Sequence, residues 1–193
     1  MHDRCFPAAQ AHKLEDPARL EWLPPGEVLS LLNIAPGEII ADIGAGTGYF
    51  ALPMAGRTGK RGRVIAVDAQ PEMLDWIRRK QETSGFTNLQ LVHAEGESTT
   101  LPRSSCDLVF MANVWHEFPS RDAVLVEAAR ILKPGGRLAI LDWRPDVERV
   151  AGPPLEHRLS VESCTHEMED AGFSPQAMGH VGQYSWLVVA TRK

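Results

Sequence analysis

Two apolar patterns alternate along the chain. Short, nearly continuous apolar runs occur at "EIIADI" (38–43), "RVIAVD" (63–68), "NLQLVHA" (88–94), "DLVFMAN" (107–113) and "RLAILDW" (137–143). Such runs predict strands buried on both faces. Between them, apolar residues recur every three or four positions, as on one face of a helix. "PPGEVLSLLNI" starts at Pro24–Pro25, carries Val28, Leu31 and Leu32, and is expected to end at Pro36–Gly37. "GYFALPMAG" continues as a helix to Gly56, and Pro53 inside it predicts a short or kinked element. "PEMLDWIRRKQETSG" begins at Pro71, places Met73, Leu74 and Ile77 on one stripe, and stops at Gly85. "RDAVLVEAARILKPGG" aligns Val124, Ala128, Ile131 and Leu132, with Pro134–Gly135 closing the helix.

Strands alternating with helices imply right-handed crossovers and a parallel sheet covered on both faces. The last part of the chain departs from that rule. A helix in "SVESCTHEMEDAGF", with Val161, Cys164, Met168 and Ala171 on one face, precedes "SPQAMGHVG" and "YSWLVVATR". Two strands separated at Gly179–Gly182 read as an antiparallel hairpin. The expected fold is α/β: a Rossmann-like, doubly wound, seven-stranded, mostly parallel sheet ending in that hairpin. Residues 1–23 are polar and weakly periodic and read as an N-terminal arm or lid; residues 24–193 read as one domain.

The composition of the 193 residues, 44% hydrophobic and 23% charged, is that of a globular chain able to bury a core without staples. A net charge of −5 lacks the basic footprint of nucleic-acid binding, so no nucleic acid is expected as a partner. Cys5, Cys106 and Cys164 are few, odd in number and far apart, which predicts a reduced, cytoplasmic protein without a metal site. The first residues lack the apolar segment of a signal peptide, and no apolar run approaches the ~20 residues of a membrane span.

Ligands of open α/β sheets bind beyond the carboxyl ends of the strands. "IADIGAGTGYF" (40–50) lies there, with Gly44, Gly46 and Gly48 spaced GxGxG and led by Asp42. Dinucleotide proteins use GxGxxG, with a pyrophosphate at the helix N-terminus. A carboxylate two residues before the first glycine repels a pyrophosphate and suits an ammonium or sulfonium. Asp68 closes the second apolar run, where an acid reaches ribose hydroxyls. Together they indicate a cationic nucleoside without phosphates, for which S-adenosyl-L-methionine is the candidate. A nicotinamide-dependent oxidoreductase with an atypical glycine loop, and a non-catalytic protein that binds the same nucleoside, are the alternatives.

"IIADIGAGTGYFALPMA", "VIAVDAQPEML", "AEGESTTLP", "CDLVFMANVWHEF" and "ILKPGGRLAILDW" stand in the order of the class I S-adenosylmethionine-dependent methyltransferases. The chain resembles the group that includes the ubiquinone/menaquinone C-methyltransferases and the arsenite methyltransferases. The resemblance runs from about Pro24 to Asp142 and more loosely through "EDAGF" and the hairpin. It implies methyl transfer to a small-molecule acceptor, largely by proximity and orientation, with S-adenosylhomocysteine as product. It further implies that Gly44, Ala45, Gly46 and Gly48 pass under the methionine end, with Asp42 ordering the loop. Asp68, followed by Ala69, accepts from the ribose, and Met73 lies either near the adenine or in the core. Gly96–Glu97 match the family's usual Gly-Asp, so Glu97 receives the adenine amino group, with Glu95 as its rival. Asn113 offers a backbone carbonyl to the methionine ammonium.

His116, beyond the fourth strand, is the candidate base, since histidine titrates near neutrality; shaping the pocket is its other reading. Trp115 reads as wall or core. Family members that methylate base amino groups often carry Asn-Pro-Pro-Tyr here, and Asn113-Val114-Trp115-His116 argues against that substrate. "WRPDVERVAGPPLEHR" (143–158) reads as an acceptor wall, with His157 and Arg158 as contacts for an acidic acceptor. The arm, with His12, Lys13, Arg19 and Trp22, is either a lid or a packing strap. The cysteines do not match the thiol set of the arsenite enzymes: Cys106 and Cys164 read as buried small hydrophobes, and Cys5 as exposed.

Overall fold

Buried apolar strands pair laterally and take their cover from the helices between them, and the computed structural model, which describes residues 5–148 and 152–193, shows how. A 3-10 helix (Ala8–Glu15) and α1 (Arg19–Trp22) precede α2 (Pro25–Leu31). Then follow β1 (Ile39–Ile43), α3 (Ala51–Thr58), β2 (Arg63–Asp68), α4 (Pro71–Ser84), β3 (Leu89–His93) and β4 (Cys106–Ala112). A 3-10 turn (Trp115–Glu117) leads to α5 (Arg121–Ile131) and β5 (Leu132–Trp143). A second such turn (Leu155–His157), α6 (Val161–Asp170), β6 (Phe173–Val181) and β7 (Ser185–Arg192) complete the chain.

The seven strands form one sheet in the order β3-β2-β1-β4-β5-β7-β6. The first five are parallel, and β7 runs antiparallel to both neighbours. The chain leaves β1 towards β2 and β3, then crosses back to β4 on the other side. The β1/β4 boundary is therefore the switch point at which such sheets open a crevice. Side chains alternate along the strands between two cores. Ile40, Leu108, Phe110 and Leu141 pack with α2, α3 and α4; Ala41, Val109, Met111 and Ile140 pack with α5 and α6. No helix among the described residues is long and apolar enough to cross a membrane.

Several boundaries differ from the sequence pattern. Helix α2 stops at Leu31, before the proline–glycine pair, because Asn33 turns left-handed at φ 48°. Helix α3 runs through Gly56 to Thr58, and Pro53 lies in its first turn, where a missing N–H removes no helix bond. The segment "LKPGG" belongs to β5 rather than to α5: Leu132 is extended and pairs with Cys106, and the residue before a proline avoids helical angles. The hairpin turn falls after Val181, not at Gly179–Gly182, since β6 continues through Gly179 with a register shift there. At Gly182 (φ 55°) a Cβ would collide with the Trp22 carbonyl, so glycine lets α1 close onto the hairpin.

Phe110 is fully buried in β4 and its ring meets Phe50 edge-on at 5.1 Å. Phe110→Ala is expected to lower stability by about 3–5 kcal/mol in urea unfolding.

Candidate cofactor and active site

The loop after β1 is tied to the end of β2, because Gly44 N and Ala45 N donate to Val67 O at 2.8 and 3.0 Å. Gly44, Gly46 and Gly48 all have positive φ (72°, 54° and 84°), a region costly for residues with a Cβ. A Cβ at Gly44 would stand 2.7 Å from the Val114 side chain, so the loop also hugs the segment after β4. Asp68 holds the loop from the other side. Its Oδ2 accepts from Gly46 N at 2.8 Å and its Oδ1 from Gln70 N at 2.9 Å. A carboxylate offers about four acceptor positions, so these two bonds leave capacity for two hydroxyls.

Three buried polar atoms stand unpartnered around the loop: Asp42 Oδ2, Thr47 Oγ1 and Asn113 Oδ1. Unpartnered buried acceptors are costly, and a cluster of them at the switch point suits a bound ligand. Asp42 is 2% exposed; burial, reinforced by the charge of Asp68, pushes its carboxyl up to about 7. Burial also raises Asp68, against the opposing N–H bonds of Gln70 and Gly46. The unpartnered oxygens of Asp42 and Asn113 fit a ligand that brings donors or positive charge, as S-adenosylmethionine does. Asn113 is left-handed (φ 57°), and its N–H donates to Leu141 O at 2.8 Å.

The remaining expected residues surround this cluster unevenly. The Ala69 carbonyl is hydrogen-bonded to His93 Nε2 at 2.9 Å. Met73 is buried at 2% exposure on α4. Gly96 is packed so closely that a Cβ would meet the Phe118 ring at 2.6 Å. Glu97 is half-buried and Glu95 exposed. Their loop is anchored by Thr99, whose N–H and Oγ1 both donate to Glu127 Oε1 on α5; the sequence gives no hint of that anchor.

His116 sits in the turn after β4, 5% exposed. Its backbone N–H donates to Asp142 Oδ2 at 2.9 Å, and its Nδ1 lies 2.9 Å from Asp142 Oδ1. Nε2 faces Glu117 Oε1 at 3.9 Å. Burial opposes charge on this imidazole, but Asp142 and Glu117 outweigh it and raise its proton affinity. Burial likewise pushes Glu117 up to about 7. Trp115 is fully buried against Phe118. Asp142 is given no role by the sequence motifs that mark the site. The signal was an acid interrupting an apolar run at the carboxyl end of β5, the strand that a right-handed crossover sets beside β4.

The arm crosses this whole region. Phe6 N donates to Glu117 Oε2 at 3.1 Å, Ala8 N to Gln70 Oε1 at 2.9 Å, and Gln70 Nε2 returns a bond to Phe6 O at 2.8 Å. Leu14 reaches to 3.5 Å from a Cβ built on Gly46. Lys80 pairs with Glu15 at 2.6 Å and donates to Thr47 O at 2.9 Å. Arg19 is buried over the Tyr49 ring, 4.0 Å from its centroid, whereas His12 and Lys13 are exposed. Cys5 is half-buried rather than exposed, its thiol 3.4 Å from Gln70 Nε2. Within the 143–158 segment, residues 149–151 lie outside the described residues. Arg158 is not presented to an acceptor: its buried guanidinium donates to the carbonyls of Arg144, Val147 and Pro153 and braces the loop. His157 is half-buried, and Trp22 stacks on Trp143 at 5.3 Å.

The neutral form of Asp42 is favoured by folding, so the folded chain takes up a proton between the ordinary carboxylate range and about 7. The stability this contributes is present at low pH and is lost as pH rises through that window, by up to about 1.4 kcal/mol per unit. Asp42→Asn is expected to flatten that slope in urea unfolding between pH ~4 and ~7. Equal slopes in the two proteins would show the carboxyl to be ionised throughout.

Residues 41–140 match the family described as "Methyltransferase domain". The "Ubiquinone/menaquinone biosynthesis C-methyltransferase UbiE" of Hydrogenovibrio crunogenus is 32% identical over 116 residues, which is 60% of this chain and 46% of that protein. The "Demethylmenaquinone methyltransferase" of Listeria welshimeri is 31% identical over 167 residues, 86% of this chain and 68% of that protein. The chain thus spans about half the length of the first curated relative and about two thirds of the second. The crystal structure of a SAM dependent methyltransferase from Aquifex aeolicus superposes with a TM-score of 0.93 at 33% identity, covering 98% of this chain and 100% of that one. The glycine loop, the acids at the ends of β1 and β2, the strand order and these likenesses agree, and the chain belongs to the class I S-adenosylmethionine-dependent methyltransferases.

Proposed function

We propose that the protein methylates a small-molecule acceptor that carries a removable proton, with His116 as the base. The observation that carries this reading is one juxtaposition. Unsatisfied acceptors (Asp42, Asn113) stand at the carboxyl ends of β1 and β4, and a buried imidazole follows on the same β4 end. The match to a methyltransferase domain over residues 41–140 favours this reading over the nicotinamide alternative.

When bound, S-adenosylmethionine supplies a methyl group already activated as a sulfonium substituent, so orientation accounts for much of the rate. In this reading Asp68 accepts from the sugar hydroxyls, Asp42 and Asn113 face the cationic end, and Gly44–Gly48 keep the backbone close beneath it. Met73 and Ala69 border the adenine, and Glu97 beside Gly96 receives its amino group. His116 takes the acceptor's proton at Nε2. The arm is the lid: its bonds to Gln70 and Glu117 and the Lys80–Glu15 pair draw it over the loop and exclude water. The names of the two curated relatives, which refer to quinone biosynthesis and to demethylmenaquinone, support a small-molecule acceptor.

Asp68→Ala is expected to weaken S-adenosylmethionine binding by roughly 1.5–3 kcal/mol per charged hydrogen bond lost, measured by calorimetry. Undiminished affinity would remove Asp68 from the sugar site. His116→Ala is expected to cut turnover about 10²–10⁴-fold in a labelled-methyl assay over a metabolite panel, while sparing cofactor affinity. Loss of both together would make His116 a wall of the pocket rather than a base.

A further inference from the structure

We propose that Asp142 and Glu117 are positioning residues that give His116 a direction: Asp142 keeps the first proton on Nδ1, and Glu117 relieves Nε2 of the second. The inference rests on the reading of His116 as the base.

The Asp142 carboxylate is 1% exposed and receives three groups. His116 N donates to Oδ2 at 2.9 Å, and Trp143 N donates to Oδ1 at 2.8 Å. A backbone N–H has no other role available, so both oxygens are already acceptors. His116 Nδ1 lies 2.9 and 3.0 Å from those same oxygens. A carboxylate brings no proton to the contact, so Nδ1 must be the donor. The neutral imidazole therefore carries its lone pair on Nε2, the atom that a base uses. An asparagine at 142 would break this logic, because its amide nitrogen would turn one acceptor into a donor aimed at the same groups.

Nε2 stands 3.9 Å from Glu117 Oε1, about 1 Å beyond hydrogen-bond reach. Glu117 Oε2 meanwhile receives Phe6 N–H from the arm at 3.1 Å, which leaves Oε1 as the oxygen directed at the ring. Among the described residues, the charged and titratable groups that act on His116 are Asp142 and Glu117, which favour its proton, and Arg158, which disfavours it. Those around Glu117 are His116, Asp142 and the Cys5 thiol, and that thiol also faces Asp68 and Glu95. The proton path balances simply. The acceptor's bond to hydrogen breaks, its electron pair stays on the acceptor atom, and the proton goes to Nε2. The Nε2–H bond then breaks with its pair returning to the ring, and Oε1 of the ionised Glu117 receives the proton. Burial raises that carboxylate's proton affinity to about 7, well above the ordinary carboxylate range, which makes Glu117 a better proton acceptor than an exposed glutamate.

The test uses the full chain labelled with ¹⁵N in its seven histidines, with His116→Gln identifying the relevant signals. In the wild type Nδ1 is expected to stay protonated between about pH 5 and 9 while Nε2 titrates. Glu117→Gln is expected to lower that midpoint by about one pH unit and to keep Nδ1–H. Asp142→Asn is expected to bring in the neutral Nε2–H form. A neutral Nε2–H ring in the wild type, or an unmoved midpoint in Glu117→Gln, would overturn the assignment, and both are read whether or not Asp142→Asn folds. Calorimetry with S-adenosylmethionine on wild type and Glu117→Gln separates the two levels. Wild type that binds none would overturn the proposed function while leaving the ring's tautomer as measured.

Discussion

The bond from Gly46 N to the Asp68 carboxylate ties the loop after β1 to the end of β2, and much else follows from its geometry. Strands β1 and β2 run parallel and end together, so the backbone leaving β1 must turn sharply to reach α3. That turn has three positive-φ glycines; the Val67 carbonyl of β2 takes the N–H groups of Gly44 and Ala45, and that of Gly46 needs another acceptor. A carboxylate at the end of β2 is the neighbour able to take it. Asp68 thereby serves as a structural acceptor while keeping lone pairs for a ligand. Asp42 and Asn113, lacking such donors, are left as unsatisfied acceptors in the same crevice.

Much of this was legible before any coordinates. Buried parallel strands have a plain apolar signature, and the GxGxG spacing with its leading acid locates the crevice. Boundaries were less legible where two tendencies competed. Leu132 fits the α5 stripe as well as a strand, and only its pairing with Cys106 across the sheet decides the matter. Pro53 looks disruptive until its place in the first turn is known. Arg158 reads as a contact for an acidic acceptor, yet three loop carbonyls claim it.

The least legible part is what the sheet brings together laterally. His116 and Asp142 are separated by an entire helix and strand, and nothing periodic links them. Their meeting follows from two adjacent parallel strands ending at the same level, so that a turn after β4 lies across the end of β5. In the proposed function the cofactor side draws on β1 and β2, and the reacting side on β4 and β5. The arm is the element that touches both, through Gln70 and Glu117.

How the arm is held has an evolutionary consequence. Beside side-chain contacts such as Glu15 with Lys80 and the Cys5 thiol with Gln70, the arm is clasped through its backbone: the N–H and carbonyl of Phe6 and the N–H of Ala8 bond to Glu117 and Gln70. Backbone groups are indifferent to side-chain identity. Exposed positions such as His12 and Lys13 are therefore free to drift without loosening the attachment. An arm clasped in this way lets a lineage vary its exposed side chains while the backbone bonds to Gln70 and Glu117 stay constant.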